Sequence, residues 1–226
     1  MMDQKLLAYL EGYLTEKRKA LFKKVLEDRT RHFTVVLEDI FQPHNASAVV
    51  RTCDIFGIQD VHAIENKYNN KISRHVAKGS QKWLSYNRYR DDGDNTASCL
   101  ASLKDKGYQI IATTPHNDSC ALQDFDVTKK SAFVFGSEAE GVSETVMENA
   151  DGFLKIPMVG FTESLNISVA AAIILQEVTS KLRNSEVDWK LSDEEKQILY
   201  FNWVKTTIKN VDKIEAHYRQ NLTNIK

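Results

Sequence analysis

Between residues 33 and 182, short runs of apolar and β-branched residues alternate with segments of helical periodicity, and no other feature narrows the possible folds as far. Strands are predicted at 33–40, 61–65, 108–113, 132–135 and 153–157, and helices at 45–56, 96–106, 143–150 and 165–182. Gly57, Gly107 and Gly152 stand where helices should stop. This alternation predicts an α/β domain around a mostly parallel sheet, placed at 32–182. Both flanks have helical patterns. In 1–31, Leu6, Leu7, Leu10, Tyr13 and Leu14 make one apolar stripe, and Leu21, Phe22, Val25 and Leu26 make another. In 183–226, Ser192 and Glu195 have capping-box spacing ahead of Leu199, Phe201, Trp203 and Val204, and a further helix is predicted near 208–218. These apolar groups need a partner surface, either the α/β domain or a second subunit.

A chain of 226 residues has room for one large or two small domains. With 42% hydrophobic and 27% charged residues, it has the composition of a protein that buries a core. The net charge of −1 hides a split: residues 1–90 carry 16 Lys and Arg against 10 Asp and Glu, and the remainder has the excess of acid. A basic half implies a surface that faces a polyanion. No apolar run approaches the roughly 18 residues of a membrane span. The N-terminal residues lack the apolar core and cleavage site of a secretory leader, and none is expected. Cys53, Cys99 and Cys120 are scattered, which predicts reduced thiols in a cytoplasmic protein. The six histidines lack metal-ligand spacing, so no metal is expected.

Three stretches carry candidate chemistry. The segment 43–54 follows a strand and opens a helix, with Asn45 as the predicted N-cap. Val49, Cys53 and Phe56 share one helix face, and His44, Ser47 and Arg51 share roughly the opposite one. An arginine near a strand's carboxyl end sits where α/β sheets bind ligands, although a solvated face gives the same pattern. In 133–143 a buried-type strand ends at Gly136, with Glu138 and Gly141 in the loop. This is neither a dinucleotide fingerprint nor a P-loop. The carboxylates of Glu138 and Glu140 would repel a pyrophosphate and tolerate a cationic or neutral ligand. A tight turn with solvated acids is the plain alternative. In 156–168, Ser164 and Asn166 precede a helix whose Ile167, Ala170, Ala171, Ile174, Leu175 and Val178 form a buried face. Their short polar side chains suit helix capping or ligand holding. The basic run Lys17-Arg18-Lys19 fits either an RNA-contacting or a solvated helix face.

Together and in this order, the three stretches resemble the motifs of the SpoU-type 2′-O-ribose RNA methyltransferases of the SPOUT superfamily. Motif 1 pairs an asparagine with an arginine six residues on, matched by Asn45 and Arg51. Motif 2 is G-x-E-x-x-G after a strand, matched by Gly136, Glu138 and Gly141. Motif 3 is matched by Ile156, Pro157, Met158, Ser164, Leu165, Asn166, Ser168 and Ala170, with Phe161, Thr162 and Glu163 in a variable linker. The resemblance covers about 33–182. Pro43-His44-Asn45 and the helical flanks are similar to those of members that methylate a D-loop guanosine of tRNA, at tRNA position 18. Relatives acting on ribosomal RNA share the motifs and differ mainly in their flanks.

The resemblance implies an α/β fold whose C-terminal segment is tied in a deep trefoil knot, against the general topology rule. It implies a homodimer with the site near the subunit interface, and S-adenosylmethionine as methyl donor. Thr113, Gly136, Ile156, Met158 and Leu165 are the implied donor contacts. Arg51, Asn45, Glu138, Ser164 and Asn166 are the implied catalytic set. Lys17, Arg18, Lys19, His44 and Arg51 are the candidate RNA contacts, with further basic residues between Lys67 and Arg90. A ribose 2′-hydroxyl must lose its proton as it attacks the sulfonium methyl, so the reaction calls for alignment and general-base help. The family assigns that help to the motif 1 arginine. Arginine has a pKa of about 12 or more, which equally suits phosphate binding and polarisation of the hydroxyl. Two other classes remain: a non-catalytic RNA-binding factor, opposed by the intact Asn45, Arg51, Glu138 and Asn166, and a nucleotide-dependent oxidoreductase, opposed by the missing fingerprint.

Overall fold

The structure is a computed structural model that describes residues 3–69, 71–114 and 119–223. The chain begins with α1 (Gln4–Glu11) and α2 (Glu16–Leu26). It continues through β1 (Phe33–Glu38), α3 (Pro43–Ile55), β2 (Asp60–Ile64), α4 (Arg74–Ala77), β3 (Ser85–Tyr89), α5 (Asn95–Asp105), β4 (Gln109–Thr113) and β5 (Cys120–Ala121). Then follow β6 (Ser131–Phe135), α6 (Glu144–Asn149), β7 (Gly152–Lys155), α7 (Ile167–Arg183), α8 (Asp193–Thr207) and α9 (Val211–Thr223). The described residues of 30–189 form one compact unit, and those of 1–29 with 190–226 form another.

In the larger unit the seven strands are ordered β3-β2-β1-β6-β4-β7-β5, and every pairing is parallel. Strands β1 and β6 are buried along their whole length, which explains their unbroken apolar sequence. Alternate side chains serve opposite faces. Phe33, Val35, Leu37, Phe133, Phe135 and Leu154 pack in one core with Val49 and Cys53 of α3 and Ile174 and Leu175 of α7. Val36, Ile110, Ala112, Ala132 and Val134 pack in the other with Leu100 and Leu103 of α5 and Val146 of α6. Each buried Val, Leu, Ile or Phe among them contributes roughly 1.5–3 kcal/mol.

Two strands escape the apolar pattern. In β3 exposed Asn87 and Arg88 interrupt half-buried Ser85, Tyr86 and Tyr89, because the strand lies at the sheet edge. At the other edge β5 has two residues, too few for any periodicity. Gly57 and Gly107 follow α3 and α5 with positive φ, as helix-ending residues do. Gly152 does not end a helix: α6 stops at Asn149, and Gly152 opens β7. Its backbone packs against β4, where a Cβ would lie 3.2 Å from Ile111 Cδ1.

In the smaller unit Phe22 meets Tyr200 and Trp203 of α8 edge to face, and the Tyr200 hydroxyl donates to Glu11 at 2.6 Å. The capping box forms: Glu195 N donates to Ser192 Oγ at 3.2 Å and Ser192 N to Glu195 Oε2 at 2.9 Å. The last helix begins at Val211, because Ile208 is extended and Asn210 has φ of 56°.

Candidate active site

Strands β1 and β6 are neighbours, yet the chain leaves β1 toward β2 and reaches β6 only after β4. At such a switch point the loops leave in opposite directions and open a crevice beyond the carboxyl ends of the strands. A cavity of about 640 Å³ lies on the β6 side of this point, lined by the ends of β4, β6 and β7 and the start of α7. Thr113, Gly136, Ile156, Met158 and Leu165 all line it, and so do Glu138, Ser164 and Asn166. Thr113 is fixed by its hydroxyl, which donates to Val134 O at 2.8 Å.

The loop after β6 closes tightly. Gly141, at φ of 71°, donates its N–H to Ser137 O at 2.9 Å. This brings the Gly141 carbonyl against Gly136, where a Cβ would stand 2.0 Å from the oxygen. Glycine at 136 is therefore a steric requirement, and the closed loop forms one wall of the cavity.

Three segments distant in sequence meet at the cavity rim. Asn45 Nδ2 donates to Glu138 Oε1, and Asn166 Nδ2 donates to Asn45 Oδ1 at 3.2 Å. Asn166 Oδ1 accepts from Ser168 N at 2.9 Å and Ser168 Oγ at 2.6 Å, which caps α7. The result is one hydrogen-bonded chain, Glu138–Asn45–Asn166–Ser168. Asn45 is not the N-cap that its position suggested. Gln42 is the cap residue and Pro43 takes the first helical position, where its fixed φ is favourable and its missing N–H costs nothing. The helix thus starts earlier, and the buried Asn45 side chain is released to bridge the loops.

Arg51 and His44 are exposed on α3 and do not line the cavity. The Arg51 guanidinium has no hydrogen-bond or ion-pair partner among the described residues. Ser47, predicted on the same polar face, is instead buried and donates to Pro43 O at 2.5 Å. Lys17, Arg18 and Lys19 lie on α2 in the smaller unit. Lys19 pairs with Glu16 at 2.5 Å and Arg18 sits over the Phe22 ring, while Lys17 is exposed.

Sequence reasoning left several site residues without a role. Glu163 lies on the cavity wall, so the lining holds three acids, Glu138, Glu140 and Glu163, and one lysine, Lys155. Glu140 accepts from Lys67 Nζ at 2.5 Å, and this bond raises the lysine pKa. Glu38, at the end of β1 and 3% exposed, accepts from Thr96 Oγ1 at 2.8 Å, Ser143 Oγ at 2.7 Å and Ser143 N at 2.8 Å. It thereby anchors the far end of the motif 2 loop. An acid closing an apolar strand was the available signal. Among the described residues no group of three His, Cys, Asp or Glu side chains is placed to hold a metal ion, and no helix is long and apolar enough to cross a membrane.

Comparison with known proteins gives the family and the fold. The sequence is 40% identical over 211 residues to the tRNA (guanosine(18)-2′-O)-methyltransferase of Borreliella burgdorferi, covering 93% of this chain and 95% of that one. The A. aeolicus TrmH/SpoU tRNA modifying enzyme has the same fold, with a TM-score of 0.77 and 34% identity over 86% of this chain and 98% of that one. The SpoU methyltransferase AviRb of Streptomyces viridochromogenes, solved in complex with AdoMet, shares the fold at a TM-score of 0.61 and 23% identity, over 72% of this chain and 62% of that one. Residues 32–176 match the SpoU rRNA Methylase family, and the chain belongs to that family.

Proposed function

We propose that this chain transfers a methyl group from S-adenosyl-L-methionine to the ribose 2′-oxygen of the D-loop guanosine at tRNA position 18. The observation that carries this reading is the Glu138–Asn45–Asn166 chain at the rim of a cavity suited to the donor. A volume of about 640 Å³ lies within the range of small-molecule sites. Ile156, Met158, Leu165 and Ile174 offer an apolar wall to an adenine ring, and Glu138, Glu140 and Glu163 suit a ligand bearing a sulfonium and an ammonium. The same acids disfavour a dinucleotide pyrophosphate. The names of the tRNA-modifying relatives support tRNA as the acceptor.

When bound, the donor supplies an electrophilic methyl carbon. The chain's residues supply alignment. Glu138 and Asn166 hold the Asn45 amide, and Ser164 at the lip orients the ribose. Arg51, exposed and without a side-chain partner among the described residues, grips the phosphate beside the target ribose and donates to the 2′-oxygen. Its guanidinium presents a planar fork of donors, so it stabilises the oxygen as the hydroxyl proton leaves to solvent.

We assign the methyltransferase domain to 32–182 and RNA contacts to Lys17, Arg18, Lys19 and His44. The segment 156–182 is assigned to the trefoil knot, a reading supported by family membership and by the return of α7 to the face of α3. Val169 and Ile173 are exposed one turn apart on α7, and Val159 and Phe161 are fully exposed before it. This apolar surface supports a homodimer. The free thiols of Cys53, Cys99 and Cys120 and a tRNA substrate support a cytoplasmic location.

The test is transfer of label from tritiated donor to purified tRNA and to ribosomal RNA. Label is expected in tRNA. Arg51→Ala should lower transfer by at least ~100-fold, with donor affinity changed less than ~3-fold. Near-normal turnover in that variant refutes the assignment.

A further inference from the structure

Phe41 and Tyr68 meet edge to face, with ring centroids 5.0 Å apart and planes at 70°. Both rings face water: Phe41 is 63% exposed and Tyr68 38%. They stand on the loops after β1 and β2, which are adjacent strands, so they lie at the same sheet edge as the cavity. Phe41 precedes Asn45 by four residues, across the start of α3. The loop bearing Tyr68 is pinned on both sides. Lys67 N donates to Asp39 Oδ1 at 2.7 Å and Lys67 Nζ to Glu140 at 2.5 Å. Ser73 N donates to Ser47 Oγ of α3 at 2.8 Å. Two aromatic rings are thus held in fixed positions without being buried. Lys71 follows on the same loop, Arg74 opens α4 and Lys78 ends it; all three are exposed or half-exposed and without side-chain hydrogen-bond or ion-pair partners among the described residues.

Water-facing aromatic rings bordered by free cations are the arrangement that takes single-stranded nucleic acid: the cations meet phosphates, and an open ring face stacks on a base. We propose that the Phe41–Tyr68 pair is a stacking platform for one unpaired base beside the ribose that is methylated. This rests on the RNA methyltransferase reading, and it adds a base-holding subsite to it. Lys71 and Arg74 hold the adjoining phosphates.

The test uses the full chain and a tRNA transcript. Phe41→Ala and Tyr68→Ala should each raise the KM for tRNA about 10-fold, with kcat and donor affinity near native. Tyr68→Phe should retain native KM, since the ring and not the hydroxyl does the stacking. Transcripts made abasic at the methylated nucleotide or at either neighbour then locate the base. At one of these positions the abasic substrate should erase the difference between native protein and Tyr68→Ala. An unchanged KM in both alanine variants, or a difference that persists with every abasic transcript, overturns the proposal. So does a loss of self-association in Tyr68→Ala by sedimentation, which would assign the rings to a subunit contact. Absence of methyl transfer by the native protein would instead overturn the methyltransferase reading itself.

Discussion

Gly136→Ala tests the donor cavity most sharply, because the clash is with main chain. The new Cβ would stand 2.0 Å from Gly141 O, 2.1 Å from Gly141 C and 2.3 Å from Val142 N. Ordinary contact begins at 3.4 Å, well over 1 Å farther, and no rotamer change provides it. The loop must move away from β6, and Gly141 must then give up its bond to Ser137 O or carry Ser137 with it. Overpacking of this kind costs about 1–3 kcal/mol, and a lost hydrogen bond adds about 1 kcal/mol. The loop is exposed, so the shift falls on the cavity wall and not on the core. If donor binding restores the native loop, affinity should fall by the equivalent of 2–4 kcal/mol, roughly 30- to 900-fold. Titration calorimetry with S-adenosylhomocysteine gives the affinity, and a melting curve checks that the domain remains folded. A folded variant that binds within about 3-fold of native would refute both the steric argument and the placement of the donor.

Two further predictions use other parts of the chain. Lys17→Gln with Arg18→Gln should reduce the slope of log affinity for tRNA against log salt by about 1.4–1.8 in filter binding, and Lys19→Gln should add little because Glu16 already pairs with it; an unchanged slope in the double variant removes α2 from the RNA surface. Burial pushes the His62 pKa down to about 4 from its ordinary 6.5, so between these values the unfolded chain takes a proton that the folded one refuses. Stability from this source is complete above about pH 6.5 and is lost as pH falls toward 4, by up to about 3 kcal/mol. Urea unfolding across this range should show a steeper acid loss in the native protein than in His62→Asn, and parallel profiles would contradict the assignment.

The parts of the fold visible in the sequence are those where burial is symmetric. Strands β1 and β6, covered on both faces, leave apolar runs that stand out, and α7 carries a buried stripe through Ile167, Ala171, Ile174 and Leu175. Edge strand β3 carries no apolar run because solvent takes part of it, and Arg88, within the basic stretch from Lys67 to Arg90, is held by both Glu65 oxygens. Local rules also compete. Pro43 and Asn45 both favour a helix start, and the proline prevails, which is what frees Asn45. No spacing argument could bring Asn45 against Glu138, 93 residues away, or against Asn166, 121 residues away. The family resemblance grouped these residues, and the sheet order supplies the physical reason: β1, which leads into Asn45, is the parallel neighbour of β6, whose loop carries Glu138. The net charge of −1 is a poor guide, because cations without partners among the described residues, Lys71, Arg74 and Arg51, gather on one stretch of chain while three acids line the cavity.

The central claim is tested most directly by locating the modified nucleotide. Unmodified tRNA transcript is incubated with purified protein and donor, digested with nucleases and analysed by mass spectrometry. The account predicts one 2′-O-methylguanosine per molecule, in the D-loop fragment containing position 18. Methylation on a base, methylation at another site, or methylation confined to ribosomal RNA would contradict it.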